Sequence, residues 1–314
     1  MMAKEHFIKC LNEDPKDTHA LYNVIYCFES LENPDSAIEF LNEFLEADPF
    51  SEIAWHQLGR QYASKGLLKQ ALSSYDFAVI CDNEFIGAYF EMGKTLQKMK
   101  RYNEAILAYE TTLSIDEPTA FALMHIGQCH IALGNNKLAI QYFKRTLNED
   151  PLYEKAWIAL IDVYCKNKDF EKALYYAKKS IQIDNVNEAT WKRYAEINFA
   201  LGFLEEADLG FTECVNLSNY EVDTWVKWAD VLKEMHDYPR ALEVLQHGLE
   251  FHPESSVINF RLAGIYLLSS QSLEARFYLK NAYLSDAKQL NHFYETFPEF
   301  RSSSFVKQSL SLKL

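Results

Sequence analysis

The sequence predicts an all-α fold, a stacked array of antiparallel helix pairs, and three observations carry that prediction. One set of residue types recurs every 34 residues with no inserted or deleted residue. Within each period the small and apolar positions fall on two separate helical stripes. The chain also holds only 8 Pro and 10 Gly in 314 residues, too few for long flexible linkers. A fixed period of this length marks a repeat architecture in which each unit needs its neighbours to bury its apolar face.

Residues 52–85 display the lattice. Trp55, Leu58, Gly59, Tyr62, Ala71, Tyr75 and Ala78 stand at positions 4, 7, 8, 11, 20, 24 and 27 of the unit. Positions 4, 7, 8 and 11 share one face of a first helix, and positions 20, 24 and 27 share one face of a second. Position 20 is always alanine: Ala37, Ala71, Ala105, Ala139, Ala173, Ala207, Ala241 and Ala275. Four of the five tryptophans (Trp55, Trp157, Trp191 and Trp225) occupy position 4. Small residues at 8 and 20 let the two helices cross closely, and aromatics at 4, 11 and 24 fill the space around the crossing.

The elements follow in order. Residues 1–14 carry Ala3, Phe7 and Cys10 at positions 20, 24 and 27, and Pro15 closes them. They read as the second helix of a half repeat over residues 1–17, so the chain is either cut from a longer protein or pairs its bare end with another chain. Full repeats start near 18, 52, 86, 120, 154, 188, 222 and 256, each with a first helix over positions 1–14 and a second over 17–30. Gly66, Gly134 and Gly202 stand at position 15, where a left-handed residue ends a helix. The repeats at 18 and 256 are the least regular, with Leu21 and Asn259 at position 4. Beyond 287 the register decays. Leu290, Phe293, Tyr294 and Phe297 make one more stripe, stopped by Pro298, and a last short helix carries Phe305, Val306, Leu310 and Leu312. Residues 290–314 are therefore a C-terminal capping helix or a loose tail.

The lattice closely resembles the tetratricopeptide repeat (TPR) family, whose signature W-x2-L-G-x2-Y…A-x3-F…A…P is nearly matched by residues 52–85. Pro49, Pro151 and Pro253 hold the closing proline position, and Pro15 holds it one period earlier. The resemblance covers roughly residues 1–290. It implies a right-handed superhelical α-solenoid of about eight helix-turn-helix repeats whose first helices line a groove through positions 2, 5, 6 and 9.

Carried onto this chain, those groove positions divide in two. The N-terminal half offers Tyr22, Asn23, Tyr26, His56, Arg60, Phe90, Lys94, Phe121 and Met124, an aromatic and hydrogen-bonding face suited to an extended or short helical peptide. The C-terminal half offers Lys192 and a basic row at position 6 (Arg193, Lys227, Arg261) beside an acidic row at position 9 (Asp162, Glu196, Asp230). Either the rows neutralise each other as inter-repeat ion pairs, or an acidic peptide docks along the bases, since arginine grips carboxylates in bidentate fashion. The family's carboxylate clamp for chaperone tails is not matched at positions 5 and 9, and the asparagine ladder of its sugar-transferase arrays is absent from position 6.

Charge and chemistry narrow the function further. A net charge of −14 disfavours nucleic acid, which normally demands a basic stripe. From Asp17 to Gly59 nine carboxylates occur with no Lys or Arg. They form either a solvated face or an acidic docking surface for a basic partner. No apolar run approaches a membrane span. The six cysteines include no CxxC, which suits buried thiols in a reducing, cytoplasmic setting. His125, Cys129 and His130 are the best metal-like cluster, but His130 holds a packing slot and no second ligand set follows. No phosphate loop, nucleophile elbow or paired-carboxylate motif appears, so neither catalysis, metal nor cofactor is expected. The expected function is a non-catalytic interaction scaffold that binds a peptide segment of another protein. The alternative is a self-associating assembly element, a homodimer or larger oligomer built through the N-terminal helix.

Overall fold

The computed structural model describes residues 2–14, 16–218 and 221–311, without the side chains of residues 2–4. Pro15, Leu312 and the Ala3 side chain, which the lattice assigns to positions, lie outside the described residues. Among the described residues every regular element is helical, with nineteen α-helices in sequence. They are α1 (Met2–Glu13), α2 (Thr18–Ser30), α3 (Pro34–Ala47), α4 (Glu52–Ser64), α5 (Leu68–Cys81), α6 (Ile86–Lys98), α7 (Tyr102–Ile115), α8 (Ala120–Ala132), α9 (Asn136–Glu149) and α10 (Glu154–Lys166). There follow α11 (Phe170–Ile183), α12 (Glu188–Leu201), α13 (Leu204–Leu217), α14 (Val222–Glu234), α15 (Tyr238–Phe251), α16 (Ser256–Leu268), α17 (Ser272–Ser285), α18 (Leu290–Thr296) and α19 (Ser304–Ser311). From α2 to α17 the even-numbered helices are first helices of a repeat and the odd-numbered are second helices.

The helix ends repeat with the same period, for local reasons. Asp17, Asn33, Ser51, Thr119, Asn187 and Ser255 cap helix N-termini by accepting from the third backbone N–H of the helix. At position 15 the backbone is left-handed in all eight repeats, with φ of 75–80° at Gly66, Gly134 and Gly202 and 50–61° at Glu32, Lys100, Lys168, His236 and Ser270. The sequence marks only the three glycines. The other five residues are held in this conformation because the next helix must fold back at once.

Two compact units divide the chain, residues 1–156 and 157–314. In the first, the alanines of position 20 (Ala37, Ala71, Ala105, Ala139) are fully buried. In three repeats of this unit glycine at position 8 faces an aromatic at position 24. A Cβ on Gly59 would lie 2.3 Å from the Tyr75 ring, one on Gly93 2.5 Å from Tyr109, and one on Gly127 2.4 Å from Phe143. Tyr75, Tyr109 and Phe143 are among the largest fully buried side chains. Where position 8 is the bulky Ile25, position 24 is Leu41, so the two sites share one volume. Trp55 at position 4 stacks on Phe77 at 4.6 Å and donates its indole N–H to the Pro49 carbonyl, pinning the preceding turn.

The second unit follows the same rules with a different distribution of bulk. Ala173, Ala207, Ala241 and Ala275 are fully buried, and Ile161 at position 8 faces the register of Ala177 at position 24. Trp191 donates to the Asn185 carbonyl as Trp55 does to that of Pro49. The register does not end at 287. Leu290 opens α18 at position 1, and Ser309 of α19 takes the position-20 slot, fully buried like the alanines. Phe293 stands 5.6 Å from Phe260, and Phe297 fills the space over Gly264, where a Cβ would come within 2.2 Å of its ring. Phe293, Phe297 and Val306 join the core formed by α14–α17.

Candidate functional site

The expected contact residues of the N-terminal unit lie on its first helices α2, α4, α6 and α8, at unequal exposure. Tyr22 and Tyr26 of α2 are 41% and 68% exposed, and Phe121 of α8 is 61% exposed. Asn23 turns its amide back to the His19 carbonyl of its own helix. Arg60 donates to Gln57 Oε1 at 3.0 Å and reaches Glu29 at 3.5 Å, while Gln61 also donates to Glu29. Lys94 lies 5.7 Å over the Phe90 ring and 2.8 Å from Glu91. Phe90 packs edge-on to Tyr109 and His125, each at 5.6 Å.

Two expected contacts are not on the surface. Met124 is only 3% exposed and belongs to the interior of α8. His56 is 8% exposed, enclosed by Tyr75 and by the edge of Phe85 at 5.1 Å. Burial, reinforced by the charge of Arg60, lowers the His56 pKa to about 4, so the ring is neutral at physiological pH.

A feature that sequence reasoning did not find lies between α6, α7 and α8. Ile86, Gly87, Phe90, Thr112, Leu113 and Phe121 line an apolar cavity of about 280 Å³, rimmed by Asp116, Glu117 and Thr119. Phe121, which lines the cavity, also stands edge-on to Tyr153 at 5.5 Å. The sequence placed Phe90 and Phe121 on the same face but gave no sign that the end of α7 would close a pocket between them.

In the C-terminal unit the basic row is engaged by the acidic row. Asp162 binds Arg193 at 2.5 Å, Glu196 binds Lys227 at 2.6 Å, and Asp230 meets Arg261 at 3.0 Å, each joining position 9 of one repeat to position 6 of the next. Arg193 also reaches Glu196, and Lys227 and Lys192 both reach Asp223. Burial opposes the charge on Lys227, yet Asp223 and Glu196 outweigh it and leave the pKa raised. Lys192 and Arg261 are buried, at 9% and 5% exposure, and Arg261 additionally donates to Thr296 and lies against Phe297. These four side chains are therefore partnered within the protein, and two of them lie beneath its surface.

The remaining candidates have structural occupations. Near α8, His125 faces Gln97 Oε1 at 2.9 Å, which also accepts from Tyr109, whereas His130 stacks on Tyr142 at 5.4 Å. Among the described residues no three His, Cys, Asp or Glu side chains gather in a metal-ligating arrangement. All six cysteines are free thiols, and burial pushes Cys129 and Cys165 up to about 11 and Cys214 to about 12. Among the described residues no helix is long and apolar enough to cross a membrane.

Comparison with known proteins agrees with the repeat geometry. A sequence model of the tetratricopeptide repeat matches residues 90–154 and 131–188. Superkiller complex protein 3 of Mus musculus is 30% identical over 118 residues, which is 35% of this chain and 8% of that protein. The CTR9 homolog of Arabidopsis thaliana is 26% identical over 116 residues, 36% of this chain and 11% of that protein. The chain thus matches only a small part of each relative's length. Among solved structures, the C-terminal part of a TPR repeat-containing protein from Cytophaga hutchinsonii superposes with a TM-score of 0.65 at 14% identity, covering 82% of this chain and all of that one. A tetratricopeptide repeat protein from Parabacteroides merdae gives 0.51 at 15% identity, covering 88% of this chain and 98% of that one. Over residues 90–188, where that sequence model matches, the 34-residue lattice and its paired helices are tetratricopeptide repeats, and the same fold extends along the chain.

Proposed function

We propose that this protein is a non-catalytic interaction module that binds a peptide segment of a partner protein on the first-helix face of its N-terminal unit. Tetratricopeptide repeat proteins serve in general as protein-interaction modules, and the fold alone does not choose the site. The observation that carries the choice is the apolar cavity between Phe90 and Phe121, with exposed Tyr22 and Tyr26 farther along the same row of helices. An apolar anchor side chain of the peptide enters the cavity, as hot-spot residues do in other interfaces. Lys94 and Arg60, on the first helices α6 and α4, then supply polar contacts along the peptide. The C-terminal unit is the weaker candidate, because an acidic peptide would have to displace carboxylates already bound to Arg193 and Lys227.

The test is a selection of 15-residue peptides from a displayed library against the full chain, followed by titration of the winners. Phe121→Ala removes an exposed ring without disturbing the core and should weaken binding about tenfold, the scale of a hot-spot truncation. Winners that bind Phe121→Ala as tightly as the parent, yet lose affinity when Arg193 and Lys227 are replaced by Ala, would move the site to the C-terminal unit.

A further inference from the structure

A second surface, on the second-helix side of the N-terminal unit, is not used by the reading above. Helices α1 and α3 lie side by side and leave a crevice of about 510 Å³ between them, within the 300–1,000 Å³ range typical of binding clefts. Its lining is mostly apolar, made by Ile8, Leu11, Phe40, Phe44 and Ala47, with Asn12, Glu43 and Asp48 adding polar groups. Phe40 packs against Phe28 behind it at 5.9 Å, so the wall is anchored in the core.

Alongside the crevice runs an uncompensated row of charge. Asp35, Glu39, Glu43 and Glu46 follow at helical spacing along the outer face of α3, all exposed. Asp35 pairs with Lys65, but among the described residues Glu39, Glu43 and Glu46 take no part in an ion pair. The reason is compositional: between Asp17 and Gly59 there is no Lys or Arg to meet them. On α1, Lys4 and Lys9 are equalled in number by Glu5 and Glu13, and Asp14 follows the helix. Along α12 and α14, by contrast, Glu196 and Asp223 are paired with Arg193, Lys227 and Lys192.

We infer that the α1–α3 crevice receives an amphipathic, basic helical segment of a partner protein, its apolar face in the crevice and its Lys/Arg flank on Glu39, Glu43 and Glu46. A helix is the element that fits a groove between two helices, with apolar side chains one turn apart entering it. The unpaired carboxylates choose a basic flank over an acidic one and gain charge-assisted contacts that exist only in the complex.

The experiment titrates the full chain with a labelled 16-residue synthetic helix that has Leu at i, i+3, i+4 and i+7 and Lys along one flank. A second peptide with Glu for every Lys is the control. Two charge-matched variants separate a site from general attraction to a chain of net charge −14. One is Glu39→Gln/Glu43→Gln/Glu46→Gln, and the other is Glu149→Gln/Glu154→Gln/Glu171→Gln. The expected result is binding of the Lys peptide alone, weakened about tenfold by the first triple variant, within about twofold of the parent for the second, and reduced by salt. Equal losses in both variants, or binding to neither peptide, would overturn the proposal. So would a dimer of the parent that dissociates in the first variant, because the occupant would then be a second copy of this chain. Peptides selected on the α6–α8 cavity should be indifferent to the first triple variant, so failure of one site leaves the other standing.

Discussion

The shared volume of positions 8 and 24 makes the sharpest prediction about the fold. Gly127 and Phe143 are in contact across one helix pair, and any Cβ at 127 would stand 2.4 Å from the Phe143 ring. Phe143 is 1% exposed, so Phe143→Ala should cost about 3–5 kcal/mol through lost burial and the cavity left behind. Gly127→Ile should cost about 3 kcal/mol, because the ring has nowhere to go and the helices must separate. The two together recreate the arrangement present at Ile161 and Ala177, with the branched side chain on the first helix and alanine on the second. The double variant should therefore be less destabilised than the sum of the singles by about 2–3 kcal/mol, a coupling expected only of residues that share space. Urea denaturation followed by far-UV circular dichroism on the four proteins gives the cycle. Additive costs would refute the view that the lattice encodes one volume divided between two positions.

Two further outcomes follow from the same structure. Lys100 and Lys168 occupy left-handed backbone with φ of 60° and 59°, so replacing each by Gly should raise stability by about 0.5–1 kcal/mol, while Gly134→Ala should lower it by a similar amount; thermal melts check both signs. His56 has a folded pKa of about 4 against 6.5 unfolded, so the unfolded chain binds more protons as pH falls through that window. Its contribution is present above pH 6.5 and is lost toward pH 4, amounting to about 2 kcal/mol at pH 5; His56→Phe should flatten the decline of unfolding free energy between pH 7 and 5 relative to the parent.

Much of this was legible in the sequence because a repeat states each rule eight times. The helix spans, the crossing alanines and the core aromatics all follow from a period that tolerates no insertion. What was not legible depends on neighbours rather than on register. Position 5 is exposed at Tyr22 but buried at His56, where the Phe85 ring from the following turn covers it. The basic row at position 6 was visible, but whether Arg193 would face solvent or Asp162 is decided by side-chain reach between repeats. The cavity beside Phe90 arises from the end of α7, which no groove rule includes. The ninth register was hidden because Ser309 replaces alanine and α18 is only 7 residues long, so the apolar stripe is too brief to show its phase.

The central claim, that a partner peptide lies on the first-helix face of the N-terminal unit, is tested most directly by site-specific photocrosslinking. Benzoylphenylalanine would replace Phe121 on α8 in one protein and Leu107 on α7 in another, positions 61% and 64% exposed on different faces of the same unit. With a selected peptide bound, crosslinks from position 121 and none from position 107 are the predicted result. Crosslinks from 107 with none from 121 would contradict it.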